Sequence, residues 1–173
     1  GCMPDEPLVP PADADGSTLA ARLLAGDRHA LGRAISLVEN RPKEAILLLE
    51  RLHARIGRAV RIGFTGPPGV GKSTLIAALA QRLRAEKKTV GIIAVDPTSP
   101  FTGGALLGDR IRMTEVAADP GVFVRSMATR GTLGGLARST FLAVDLLDAF
   151  GMDWVLVETV GVGQSEIDVT RGP

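Results

Sequence analysis

From Ser17 to about Ile56 the apolar positions recur at steps of three and four: Leu19, Leu23 and Leu24, then Leu31, Ile35 and Val38, then Ala45, Ile46, Leu48, Leu49 and Leu52. That interval places them on one stripe of a helix. Gly26-Asp27 and Asn40-Arg41-Pro42 interrupt the pattern, so it predicts three helices. After Val60 the pattern becomes short apolar runs alternating with amphipathic stretches: Val60 to Thr65, Lys72 to Glu86, Val90 to Val95, Asp109 to Ala117, Val122 to Arg125, Leu133 to Phe150 and Trp154 to Val157. Strand and helix alternating this way predict parallel βαβ units, an α/β fold with helices on both faces of the sheet. Residues 1–16 fit neither pattern. They carry four acidic side chains, no basic one, and Pro4, Pro7, Pro10 and Pro11, and read as a flexible tail.

At 173 residues the chain has the length of one domain with a short extension. Hydrophobic residues at 45% and charged residues at 23% exclude a disordered or fibrous chain. The net charge of +1 gives no general drive toward nucleic acid or an acidic membrane, so neither is expected as a partner. No apolar run is long enough for a transmembrane helix, and the acidic N-terminus is unlike a signal peptide, so an intracellular chain is expected. The order Gly1-Cys2-Met3 fits translation starting at Met3 behind two added residues. Cys2 is the only cysteine, which leaves no internal disulfide and no cysteine metal cluster. His29 and His53 stand apart and do not read as metal ligands.

Gly66-Pro67-Pro68-Gly69-Val70-Gly71-Lys72-Ser73 follows the first predicted strand and opens a predicted helix. It matches Gly-x4-Gly-Lys-Ser/Thr in the required context. The glycines let the backbone curl so that successive N–H groups converge, and the helix presents its positive end to an anion. Lys72 is then placed for the β- and γ-phosphates and Ser73 for Mg²⁺. With this loop the α/β pattern becomes a P-loop NTPase three-layer sandwich, its sheet mostly parallel, preceded by an N-terminal helical extension. The expected division is a tail at 1–16, helices at 17–57 and a nucleotide-binding domain at 58–173.

Asp96 ends the strand before Pro97-Thr98-Ser99-Pro100, at the carboxyl edge where parallel sheets place ligand chemistry. Asp109 stands near a helix start, where a dipole or capping role competes with a metal role. Glu158 ends the last strand and Gly161 follows three residues on, a spacing that suits a metal-holding carboxylate and an N–H aimed at a γ-phosphate. Arg125 and Arg130 enclose Ser126 and Thr129 ahead of a helix; contact with phosphate or partner and simple solvation are both open. Arg51, Arg55, Arg58 and Arg61 read either as a partner-binding stripe or as cations at a helix end.

Four ordered motifs together carry a resemblance: Gly66 to Thr74, Val95 to Pro100, Gly108-Asp109-Arg110-Ile111-Arg112-Met113, and Glu158 to Glu166. They resemble the methylmalonyl-CoA mutase-associated GTPases, the MeaB/ArgK-type metallochaperones, over roughly residues 18–170. The resemblance implies a GTPase that gates delivery of adenosylcobalamin to the mutase and protects it. Gly66, Pro67, Pro68, Gly69, Val70, Gly71, Lys72, Ser73, Thr74 and Gly161 would bind GTP or GDP. Lys72, Asp96 and Glu158 would be catalytic, and Ser73, Asp96, Asp109 and Glu158 would surround Mg²⁺. Thr98 to Arg110 would be the first switch and Gly161 to Glu166 the second. The implied partner is a cobalamin-dependent acyl-CoA mutase, with an adenosyltransferase as a second candidate. The implied location is cytoplasmic, or the mitochondrial matrix in a eukaryote, with no transit peptide seen.

Two features depart from the family. Asn40 is the only asparagine and precedes Arg41, so the Asn-Lys-x-Asp segment that reads guanine is missing. The chain also stops at Pro173, ahead of the strands and C-terminal helices with which family members form homodimers. An open sheet edge and marginal stability are therefore expected. A non-catalytic nucleotide-binding fragment and a P-loop kinase of small molecules or proteins are the competing readings.

Overall fold

The computed structural model describes residues 17–67, 69–95, 107–127 and 133–160. The tail expected at 1–16 lies outside them. The three N-terminal helices are α1 (Ser17–Leu24), α2 (Arg28–Asn40) and α3 (Pro42–Leu52). Gly26, at φ +84°, closes α1 in the left-handed region that favours glycine. Asp27 then caps α2, its carboxylate accepting from the N–H groups of His29 (2.9 Å) and Ala30 (3.3 Å). Pro42 occupies the first turn of α3, where its missing N–H has no intrahelical use.

The α/β part runs β1 (Val60–Gly66), α4 (Lys72–Ala85), β2 (Val90–Ala94), α5 (Leu107–Ala118), β3 (Val122–Ser126), α6 (Leu133–Phe150) and β4 (Trp154–Val160). All pairings are parallel, in the spatial order β1-β4-β2-β3. The chain moves outward from β1 to β3 and returns to place β4 between β1 and β2. With right-handed crossovers, this reversal puts α4 and α5 on one face and α6 on the other. Strand parity agrees. Val90, Ile92 and Leu156 pack with Ile76, Ala77 and Ala80 of α4, whereas Ile93, Val155 and Val157 join Val144 and Leu147 of α6. The fold is the expected α/β three-layer arrangement, here wholly parallel among the described strands.

Helices α1 to α3 share the α6 core, through Leu23, Leu31, Ile35, Leu48 and Leu52. Arg28 at the start of α2 donates to the carbonyls of Pro120 (2.6 Å) and Val122 (2.7 Å), and its guanidinium lies over the Phe123 ring. At the other end of β3, Arg125 reaches Ser36 Oγ (3.0 Å) and Glu39 (3.1 Å). Helix α2 is thus fastened to β3 at two points, one toward each end of the strand, and Arg125 makes the second of them.

Gly91 marks the closest approach of the sheet to α6, since a Cβ there would lie 2.9 Å from Leu147 Cδ1. Gly91→Ala is expected to destabilise the chain by about 1–3 kcal/mol through overpacking. Urea unfolding of the variant beside the parent measures it.

The side chain of Asp148 on α6 is fully buried. It accepts from the N–H groups of Gly57, Arg58 and Ala59 and from Arg61 at 2.8 Å, while Arg61 also meets Asp145 at 2.8 Å. Burial pushes the Asp148 carboxyl up, but the Arg61 guanidinium and the backbone N–H groups outweigh it and hold it below the usual carboxylate range. The folded chain therefore takes up this proton at lower pH than the unfolded chain. The resulting stabilisation is complete above about pH 4, the ordinary aspartate value, and is lost as pH falls through the lower folded value. Asp27 and Asp119 are shifted the same way, Asp27 chiefly by Arg22 and Asp119 by the Gly121 N–H. The urea midpoint is expected to fall between pH 7 and about pH 3, and Asp148→Asn to flatten part of that fall. An unchanged slope in the variant would contradict this origin.

Candidate nucleotide site

The phosphate loop links β1 to α4. Gly69 (φ +81°) and Gly71 (φ +97°) adopt left-handed conformations that side-chain-bearing residues rarely enter. Gly71 is also the residue ahead of α4, so Lys72 and Ser73 form the first turn and sit at the positive end of the helix. Both are buried. The Lys72 ammonium donates to the carbonyls of Gly66 (2.6 Å) and Pro67 (3.1 Å), which folds the lysine across its own loop.

Ser73 Oγ donates to Glu158 Oε1 at 2.6 Å, and Glu158 is 1% exposed. Two features of the fold make this contact. Strand β4 lies beside β1, with Glu158 opposite Phe64 and also opposite Ala94 of β2. Glu158 also shares parity with Leu156, whose side chain faces α4. A residue one position earlier or later would face α6.

A hydroxyl and a carboxylate are the hard oxygen donors that Mg²⁺ prefers, and neighbouring ligands of an octahedral Mg²⁺ stand about 3 Å apart. The Ser73–Glu158 pair, at 2.6 Å, is within a small adjustment of that spacing.

Of the residues read from sequence, Gly66, Pro67, Gly69, Val70, Gly71, Lys72, Ser73, Thr74 and Glu158 converge at the carboxyl edge of the sheet around β1 and β4. Pro68, Asp96 and Gly161 lie outside the described residues. So do Arg130, most of the first switch segment and all of the second. Asp109 falls in the first turn of α5, where only the backbone is described. Arg125, open between phosphate and solvent in the sequence, binds α2 instead. The sequence reading missed the Asp145–Asp148–Arg61 network. Its available signal was two acids three apart on a helix otherwise rich in leucine.

A parallel sheet whose first strand feeds a glycine loop, a buried lysine and a serine set against an acid on the adjacent strand defines a P-loop nucleotide-binding protein. Residues 31–172 match the family described as methylmalonyl-CoA mutase-associated GTPase MeaB. The chain belongs to that family. A predicted GTPase of Pyrococcus horikoshii is 56% identical over 88% of this chain and 48% of its own length. The GTPase ArgK of Escherichia coli is 44% identical over 87% of this chain and 46% of its own. Among solved structures, a LAO/AO transport system kinase superposes with a TM-score of 0.71 at 33% identity, covering 92% of this chain and 48% of that one. The chain spans about half the length of these relatives.

Proposed function

We propose that this chain is the Mg²⁺-dependent GTP-binding and hydrolysing part of a metallochaperone that gates adenosylcobalamin delivery to methylmalonyl-CoA mutase, or a related acyl-CoA mutase, and protects it. The observation that carries the chemistry is the buried Ser73–Glu158 contact beside Lys72 at the mouth of the phosphate loop. The family match supports the mutase as partner.

Lys72 and the N–H groups of the loop hold the β- and γ-phosphates and stabilise the charge that develops on them. Ser73 and Glu158 would hold Mg²⁺, joined through the family resemblance by Asp96 and Asp109. Mg²⁺ held there would neutralise charge on the phosphates. Hydrolysis is in-line attack of water on the γ-phosphorus, with GDP leaving and inorganic phosphate as the second product. The adenosyltransferase, the homodimer and the cytoplasmic or matrix location belong to the same proposal for the longer protein.

A non-catalytic phosphate-binding module is the second reading.

Equilibrium binding of fluorescent GTP and ATP analogues, with Mg²⁺ and then with EDTA, tests the first reading. Expected is Mg²⁺-dependent binding of the GTP analogue that weakens at least about tenfold in EDTA, and a GTP affinity equal to that for ATP would mean that these residues read the phosphates alone. Turnover absent both alone and with the mutase would favour the inert module.

A further inference from the structure

Lys43, Leu47 and Arg51 stand four residues apart on α3 and so share one stripe of the helix. All three are exposed, Leu47 to 56%. Arg55, in the short turn after α3, and Arg58, ahead of β1, are exposed as well. Neither enters an ion pair among the described residues. Arg61, the last arginine of the run, leaves the group for Asp145 and Asp148. The helix-dipole account covers Arg51, which lies in the last turn of α3. It extends to Arg55, in the last turn of the short helix that continues α3, but not to Arg58, which lies beyond both.

We infer that this stripe docks an acidic face of the partner protein, with Leu47 as the apolar anchor; the inference rests on the reading that an acyl-CoA mutase is that partner. A protein fits better than a polyanion. Glu44 and Glu50 are exposed on the same helix, and an unbroken row of phosphates, on nucleic acid or lipid, would meet both carboxylates. A protein surface can pattern its acids to face the basic positions and leave a small apolar pocket for the leucine. The net charge of +1 likewise makes this a local feature. Arg55 and Arg58 precede β1, at the amino edge of the sheet, whereas the phosphate loop leaves its carboxyl edge. A partner seated on the stripe therefore leaves the nucleotide site open.

The test is the affinity of the 173-residue chain for a cobalamin-dependent methylmalonyl-CoA mutase at low and high salt. The parent is compared with Arg55→Glu/Arg58→Glu and with Leu47→Ala. Binding of a fluorescent GTP analogue and circular dichroism check that each variant is intact, and a short DNA duplex and phosphatidylserine vesicles serve as alternative probes. The double reversal is expected to weaken mutase binding at least about tenfold at low salt, with the gap to the parent narrowing at high salt as both attraction and repulsion are screened. Leu47→Ala is expected to weaken it about fivefold, with GTP binding unchanged in both variants. Equal affinity of parent and double reversal overturns the surface and leaves the proposed function standing. A parent chain that binds GTP but no mutase overturns the partner, and the surface with it. Tighter capture by DNA or vesicles than by the mutase overturns the choice of a protein.

Discussion

Asp148→Ala is expected to lower the unfolding free energy by about 3 kcal/mol, one of the two largest effects anticipated for a single substitution in this chain. The side chain removed is fully buried and accepts from three successive backbone N–H groups as well as from Arg61. Alanine would leave those N–H groups without their acceptor and halve the pairing of a guanidinium whose side chain is only 18% exposed. Asp145 still meets Arg61 and limits the damage. Asp145→Ala is the matched control. Its side chain is 30% exposed and Asp148 keeps the arginine, so a loss of about 1 kcal/mol or less is expected. Urea titrations of the two variants and the parent at pH 7 decide the matter. Equal losses would mean that the buried position of Asp148 carries no special weight.

Lys72→Ala is expected to weaken GTP binding and to slow any turnover by about 100-fold or more. The ammonium is held by the carbonyls of Gly66 and Pro67, so it stands over the loop that must receive the phosphates. Removing it takes away both a positive charge and a brace across the loop. Folding should change far less, because the lost contacts lie on one loop and not in either core cluster. Thermal unfolding recorded beside nucleotide binding separates the two effects. Retention of GTP affinity within about twofold would remove Lys72 from the site.

The sequence by itself determined the local elements and the phosphate loop. Spacings of three and four marked the helices, and Gly26-Asp27 and Pro42 ended or opened them by local backbone chemistry. Gly69, Gly71, Lys72 and Ser73 are consecutive or nearly so, and local geometry alone brings them together. Glu158 was legible as an acid in the right chain order, but it does not end the strand as expected, since pairing with Thr65 and Gly66 carries β4 on to Val160. Its contact with Ser73, 85 residues away, was not legible, because it requires β4 to enter between β1 and β2 with its parity facing α4. The fate of the arginines was likewise a tertiary decision. Arg28, Arg61 and Arg125 look alike in a linear string, yet one spans carbonyls at the head of β3, one joins two acids of α6 and one fastens β3 to α2. A guanidinium on a long flexible stem takes its role from whichever acceptors the packed helices bring within reach. Periodicity reports which face a residue occupies, but the partner across that face depends on strand order and helix packing.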